Sequence, residues 1–216
     1  MKVPALNVME DPLMAAVRLY GAQTGNSRRA AIALEEADIP YSVIRVDLRA
    51  GEHKTAAFRA LNPRGLIPVM VEEREEEADF ILTQSNAIML YAASRSRERL
   101  MPGSGPAAGL FFDRLFYFVT EIIAPNGSAF ALTQEGHEHS AAFLAGRSLE
   151  ALVQAERFLR DAPYMAGDSF TVADTAAYTS AFAERHALDW SGLPLLNAWY
   201  TRNNARPGVV RGMGAF

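Results

Sequence analysis

There is no cysteine anywhere in the 216 residues. That removes disulfide frameworks, thiolate-held zinc and any internal CxxC couple, so thiol chemistry here must use a sulfur that the ligand brings. No apolar run approaches the roughly 20 residues that span a bilayer. The opening MKVPALNVMEDP reaches proline and acidic side chains too soon to build a secretory apolar segment. A cytoplasmic protein with no membrane partner is expected. An excess of positive charge is missing as well: 21 basic residues face 25 acidic ones, a net charge of −4, which leaves no broad footprint for nucleic acid. What remains is ordinary globular material, 50% apolar and 21% charged. The length suits one large domain or two of roughly 100 residues each.

Residues 1–14 lack periodicity and carry Pro4 and Pro12, the pattern of an appended arm. From Ala15 the chain alternates. AVRLY (16–20) reads as a strand, SRRAAIALEEA (27–37) as a helix and YSVIRVD (41–47) as a second strand, a βαβ opening. In that helix Ala30, Ala33, Leu34 and Ala37 recur at helical spacing while Arg28, Arg29, Glu35 and Glu36 fall opposite, so it is expected to pack on one side only. EHKTAAFRAL (52–61) reads as an irregular helix, IPVMV (67–71) and DFIL (79–82) as strands around the acidic connection EEREEE (72–77), and NAIMLYAASR (86–95) as a helix capped by Ser85.

The order βαβ, α, ββα over 15–95 matches a thioredoxin-like α/β sheet. SRERLMPGSGPA (96–107) has the composition of a linker. Everything from 108 to 216 reads as helix: GLFFDRLFYFVTEII (109–123), HSAAFLAGRSLEALVQAERFLRD (139–161), TVADTAAYTSAFAERHA (171–187) and LLNAWYTRNNA (195–205). Thr171-Val172-Ala173-Asp174 is spaced as a capping box, with Asp in place of the usual Glu or Gln. His137 and His139 lack a third spaced ligand, and no metal site is expected.

Four segments, LYGAQTGNSRRAAIALEE (19–36), NPRGLIPVM (62–70), QSNAIMLY (84–91) and YMAGDSFTVADTAAY (164–178), resemble in order those of the glutathione transferase superfamily. Thr24-Gly25-Asn26 and GEHKTAAF (51–58) resemble its nu class, the disulfide-bond-reductase-like branch, and the fungal relatives of that class, although Gly25 stands where Pro is usual, Ser27 where Gly is usual and Gln84 where Glu is usual. The resemblance implies a thioredoxin-like domain followed by an all-helical one, glutathione as co-substrate and a homodimer.

It also implies roles for residues. The Thr24 hydroxyl and the Asn26 amide would face the glutathione sulfur; Tyr20 and Ser27 are the competing hydroxyls. Ile67, before a cis Pro68, would pair its main chain with the cysteinyl unit. Gln84 and Ser85 would meet the γ-glutamyl end and His53 the glycyl carboxylate. From the residues alone, Asn26 is as readily a helix cap, Thr24 a turn residue and Ser85 a plain cap. A second substrate, a small hydrophobic electrophile or a disulfide, would meet some of Tyr117, Phe118 and Glu121, in a helix whose aromatics otherwise read as core. Transfer to electrophiles, and reduction of disulfides or peroxides, both begin from bound glutathione; a zeta-like isomerase and a non-catalytic glutathione-binding regulator are the alternatives.

Overall fold

The computed structural model describes residues 16–97 and 99–216, so the arm expected over 1–14 lies outside the described residues. The chain divides into two compact units. One runs to Arg95 and adds Pro207–Phe216; the other is Ser96–Arg206.

The first unit carries a four-stranded mixed sheet in the order β2-β1-β3-β4, built from β1 (Val17–Gly21), β2 (Tyr41–Arg45), β3 (Val69–Glu72) and β4 (Phe80–Leu82). β1 runs parallel to β2 and antiparallel to β3, and β3 antiparallel to β4. β1 is buried along its whole length, as a central strand covered on both faces must be. One face packs Tyr20, Val46, Phe58, Leu61, Val69 and Val71 into a core that includes α2 (Ala56–Leu61). The parallel crossover from β1 to β2 is α1 (Gly25–Glu36), which ends where Asp38 adopts φ 56°, a left-handed conformation that Asp tolerates.

α1 is not the one-sided helix that its pattern suggests. It packs against α3 (Ser85–Ser94) and against α9 (Pro207–Met213). Seven of its residues are buried, Arg29 among them. The close approach to α9 depends on Gly212, where a Cβ would lie 2.5 Å from the backbone nitrogen of Ile32. For that reason the last ten residues, expected within a helical domain running 108–216, pack with the sheet-bearing unit instead.

In the second unit, α4 (Gly105–Tyr117), a wider π-helical stretch (Phe118–Ile123) and α5 (Ala124–Gln134) follow one another without a break, then come α6 (Glu138–Gln154), α7 (Val172–Glu184) and α8 (Pro194–Asn204). The segment read as a linker is anchored within this unit: Leu100 is buried and its carbonyl accepts the Val172 N–H at 3.0 Å. α7 is buried on every side from Val172 to Ala181, and α4, α6 and α8 all touch it. Its Thr179 and Ser180 hydroxyls bond back to carbonyls of their own helix, which lets polar residues sit in the core. Among the described residues no helix is long and apolar enough to cross a membrane.

Candidate functional site

Register places the candidate residues at one end of the sheet. Gly21, the last residue of β1, pairs with Arg45, the last of β2. Tyr20 pairs with Val69, the first residue of β3, and Met70 with Leu82, the last of β4. The loops leaving β1 (to Thr24 and Asn26), β2 (to His53) and β4 (to Gln84 and Ser85), and the loop entering β3 (Ile67 and Pro68), therefore share one edge. This is the carboxyl end of the parallel pair, where open α/β sheets present ligand sites.

Thr24, with extended φ and ψ of −120° and 155°, is the N-cap of α1. Its hydroxyl accepts the Ser27 N–H at 3.2 Å and donates to Ser27 Oγ at 3.1 Å. Asn26 is not the cap but an exposed first-turn residue, and its Oδ1 accepts Arg29 Nη1 at 2.7 Å. Ser27 is 0% exposed and its Oγ also accepts the Ala22 N–H at 3.3 Å, so it braces the turn and presents nothing to a ligand. Tyr20 is 2% exposed, packs edge-on against Phe58 and has its phenol pushed above the ordinary value by burial. Neither competing hydroxyl is brought to the open edge.

The Ile67–Pro68 peptide is cis, as the resemblance implied. Ile67 stands outside the β1–β3 ladder, and among the described residues its N–H and carbonyl take part in no backbone bond. The preceding loop turns at Gly65, where φ is +61° and a Cβ would stand 2.7 Å from the His53 carbonyl. Glycine is required on both counts. The contact brings His53 against the loop that enters β3. His53 is half-buried, and its Nδ1 is buried without a hydrogen-bond partner among the described residues.

Gln84, not Ser85, is the N-cap of α3, with φ −118° and ψ 126° and no side-chain cap bond; it is exposed. Ser85 is the first helical residue, buried, and its Oγ accepts Arg29 Nη1 at 3.2 Å. Arg29 is the residue that sequence reasoning misplaced on a solvated face. It is 3% exposed, and burial pushes its guanidinium down to about 10, which leaves it a cation at neutral pH. One nitrogen of Arg29 thus ties the start of α1 to the start of α3. The available signal was the i, i+3 spacing from Asn26, which puts both on one helix face.

In the helical unit the proposed second-substrate residues separate. Phe118 is fully buried against the Tyr117 and Phe158 rings, which makes it core. Tyr117 is half-buried and donates its hydroxyl to the Ala151 carbonyl at 2.7 Å. Glu121 is exposed, 3.9 Å from Arg147. Among the described residues no group of three His, Cys, Asp or Glu could hold a metal ion.

Comparison with known proteins gives one answer along most of the chain. Residues 25–95 match the family model for the glutathione S-transferase N-terminal domain, and residues 114–207 match the model for the C-terminal domain. Glutathione S-transferase 3 of Zea mays is 30% identical over 224 residues, covering 94% of this chain and 95% of the maize protein. The disulfide-bond oxidoreductase YfcG of Escherichia coli (strain K12) is 27% identical over 205 residues, covering 89% of this chain and 92% of YfcG. A crystal structure of a glutathione transferase homolog from Lodderomyces elongisporus, with two GSH per subunit, superposes with a TM-score of 0.81 at 27% identity, covering 92% of this chain and 97% of that one.

Proposed function

The chain belongs to the glutathione S-transferase family, and on that premise we propose that it is a cytoplasmic, homodimeric glutathione-dependent enzyme that activates the tripeptide thiol at the start of α1. The observation that carries this reading is the Asn26–Arg29–Ser85 bridge, which sets the α1 and α3 N-termini one guanidinium nitrogen apart. A tripeptide laid along that edge would meet Asn26 with its sulfur, the main chain of Ile67 with its cysteinyl unit, Ser85 and the α3 N–H groups with its γ-glutamyl carboxylate, and His53 with its glycyl end. Gln84 supplies a neutral carbonyl to the γ-glutamyl ammonium.

The energetics are modest. A free thiol titrates near ~8.5, and lowering it by roughly two units takes about 2.7 kcal/mol of preference for the anion. One hydrogen bond to a charged group supplies roughly 1.5–3 kcal/mol and a helix N-terminus roughly 0.3–1 more. Asn26 is the better poised donor, because its oxygen is held by Arg29 and its amide nitrogen is not consumed there. Thr24 can join only by rotating its proton away from Ser27, whose own hydroxyl then donates back to it.

The thiolate attacks an electrophilic carbon, the leaving group departs with its electron pair and the thiol proton passes to solvent. With a disulfide, one glutathione thiolate displaces half of the substrate as a thiolate, and a second releases glutathione disulfide and the other half. The chain contains no cysteine, so it cannot carry a mixed disulfide itself and glutathione must be both nucleophile and reductant. That fact and the similarity to YfcG support disulfide reduction as the second activity. Tyr117 and Glu121 remain the candidates for contact with the second substrate.

The test is turnover of an aryl halide and of a small mixed disulfide by the wild type, Asn26→Ala and Thr24→Ala, with calorimetry of glutathione binding. Loss of both activities in Asn26→Ala, with the tripeptide still bound, supports the reading. Binding without either turnover by the wild type would instead indicate a regulatory glutathione-binding protein. Isomerase activity alone would indicate the zeta-like alternative. Sedimentation measures the homodimer.

A further inference from the structure

Arg29 does more than fill space between two helices. A guanidinium can only donate hydrogen bonds. The atom of Asn26 that lies 2.7 Å from Arg29 Nη1 must therefore be the carbonyl oxygen, and the amide nitrogen must occupy the other branch of the planar group. The same Nη1 carries a second hydrogen, directed at Ser85 Oγ at 3.2 Å. A hydroxyl that accepts from Arg29 keeps its own proton for another acceptor. One buried nitrogen thus makes a hydrogen-bond donor of each neighbour, Asn26 at the start of α1 and Ser85 at the start of α3.

We propose that Arg29 is a positioning residue that turns the Asn26 amide nitrogen toward the ligand thiolate and the Ser85 proton toward the ligand carboxylate, so that one buried cation sets the donor polarity for both anionic groups of one tripeptide. The inference rests on the functional reading above. Without Arg29 the Asn26 amide is free to rotate, and half of its orientations present an oxygen to the sulfur. Lysine at this position keeps the charge and loses the planar fork that holds two acceptors in fixed directions.

The experiment follows the ultraviolet absorbance of the glutathione thiolate on the protein across pH, with KM and kcat for glutathione, in the wild type, Arg29→Met, Asn26→Ala and the double variant. The wild type is expected to titrate the bound thiol well below free glutathione. Arg29→Met should move the midpoint up by about one pH unit, about tenfold less thiolate below the midpoint, and raise KM for glutathione about tenfold. In the Asn26→Ala background, Arg29→Met should move the midpoint no further while still raising KM, because the sulfur is reached through Asn26 and the carboxylate through Ser85. A purely structural role would not produce that split.

Midpoint and KM within twofold of wild type in Arg29→Met, or an undiminished shift in the double variant, overturns the inference while the functional reading stands. Absence of any thiolate absorbance with the wild type overturns both. Should Arg29→Met fail to fold, a crystal structure of the wild type with glutathione decides. Sulfur within hydrogen-bond distance of Asn26 Nδ2, with Oδ1 on Arg29, supports the assignment; sulfur on Thr24 alone, with the amide turned off Arg29, rejects it.

Discussion

Two of the threonine-capped helices of this protein end up with opposite uses. Thr24 opens α1 and Thr171 opens α7, both with extended backbone at the cap. At α7 the start is closed. Asp174 is 0% exposed and accepts the N–H and hydroxyl of Thr171, the Met165 N–H and Trp199 Nε1, at 2.8–3.2 Å. Burial pushes its carboxyl above the ordinary range against the pull of those four donors. At α1 no acidic residue stands in the first turn, Gly25 and Asn26 face solvent, and a buried cation lies behind. A helix start that satisfies itself is architecture. One that keeps donors facing outward, with positive charge beneath, is prepared for an anion from elsewhere.

Substitutions can break that contrast. The largest effect belongs to the closed start: Asp174→Ala strands several buried donors and should cost about 3–5 kcal/mol of stability, read by chemical denaturation with tryptophan fluorescence. If enough protein folds to assay, its bound-thiol titration should match the wild type. Next comes the open start, where Asn26→Ala should lower kcat/KM about 10²-fold, the scale of losing one donor to a developing or stabilised anion, while stability falls by about 1 kcal/mol. Thr24→Ala removes a cap and should cost about 1 kcal/mol by thermal denaturation, with a smaller loss of turnover than Asn26→Ala. A reversal of that order would make Thr24 the sulfur's main partner. The smallest effect is expected from Tyr20→Phe: a phenol packed in the sheet core should leave turnover within about twofold of wild type, and a collapse of activity would move the chemistry off the helix start altogether.

The capping box at Thr171–Asp174 was legible because its two residues are three apart and its chemistry is local. The strand order was legible for the same reason, since alternation and turn residues act over short stretches. The burial of Arg29 was not legible. Periodicity sorts residues by polarity and cannot distinguish a charged side chain facing water from one facing a third helix, so α1 looked one-sided while its outer face awaited α9. α5 and α9 fall outside the four helical stretches named from the sequence because Gly127, Gly208 and Gly212 weaken helix propensity that packing then overrides. The sheet edge at which Thr24, Asn26, Ile67, Gln84 and Ser85 meet is a product of strand register and could be anticipated only through family resemblance.

The docking of α9 on α1 has a consequence for how the protein is made. The unit that holds the sheet is written in two pieces, and the second piece emerges from the ribosome after the entire helical unit. Until Pro207–Phe216 appears, the flank of α1 around Ile32 lacks the helix that covers it, so the segment synthesised first is among the last to close. A nascent chain paused after Arg206 would present that greasy flank to chaperones, and one paused before Ser96 would already present it as well.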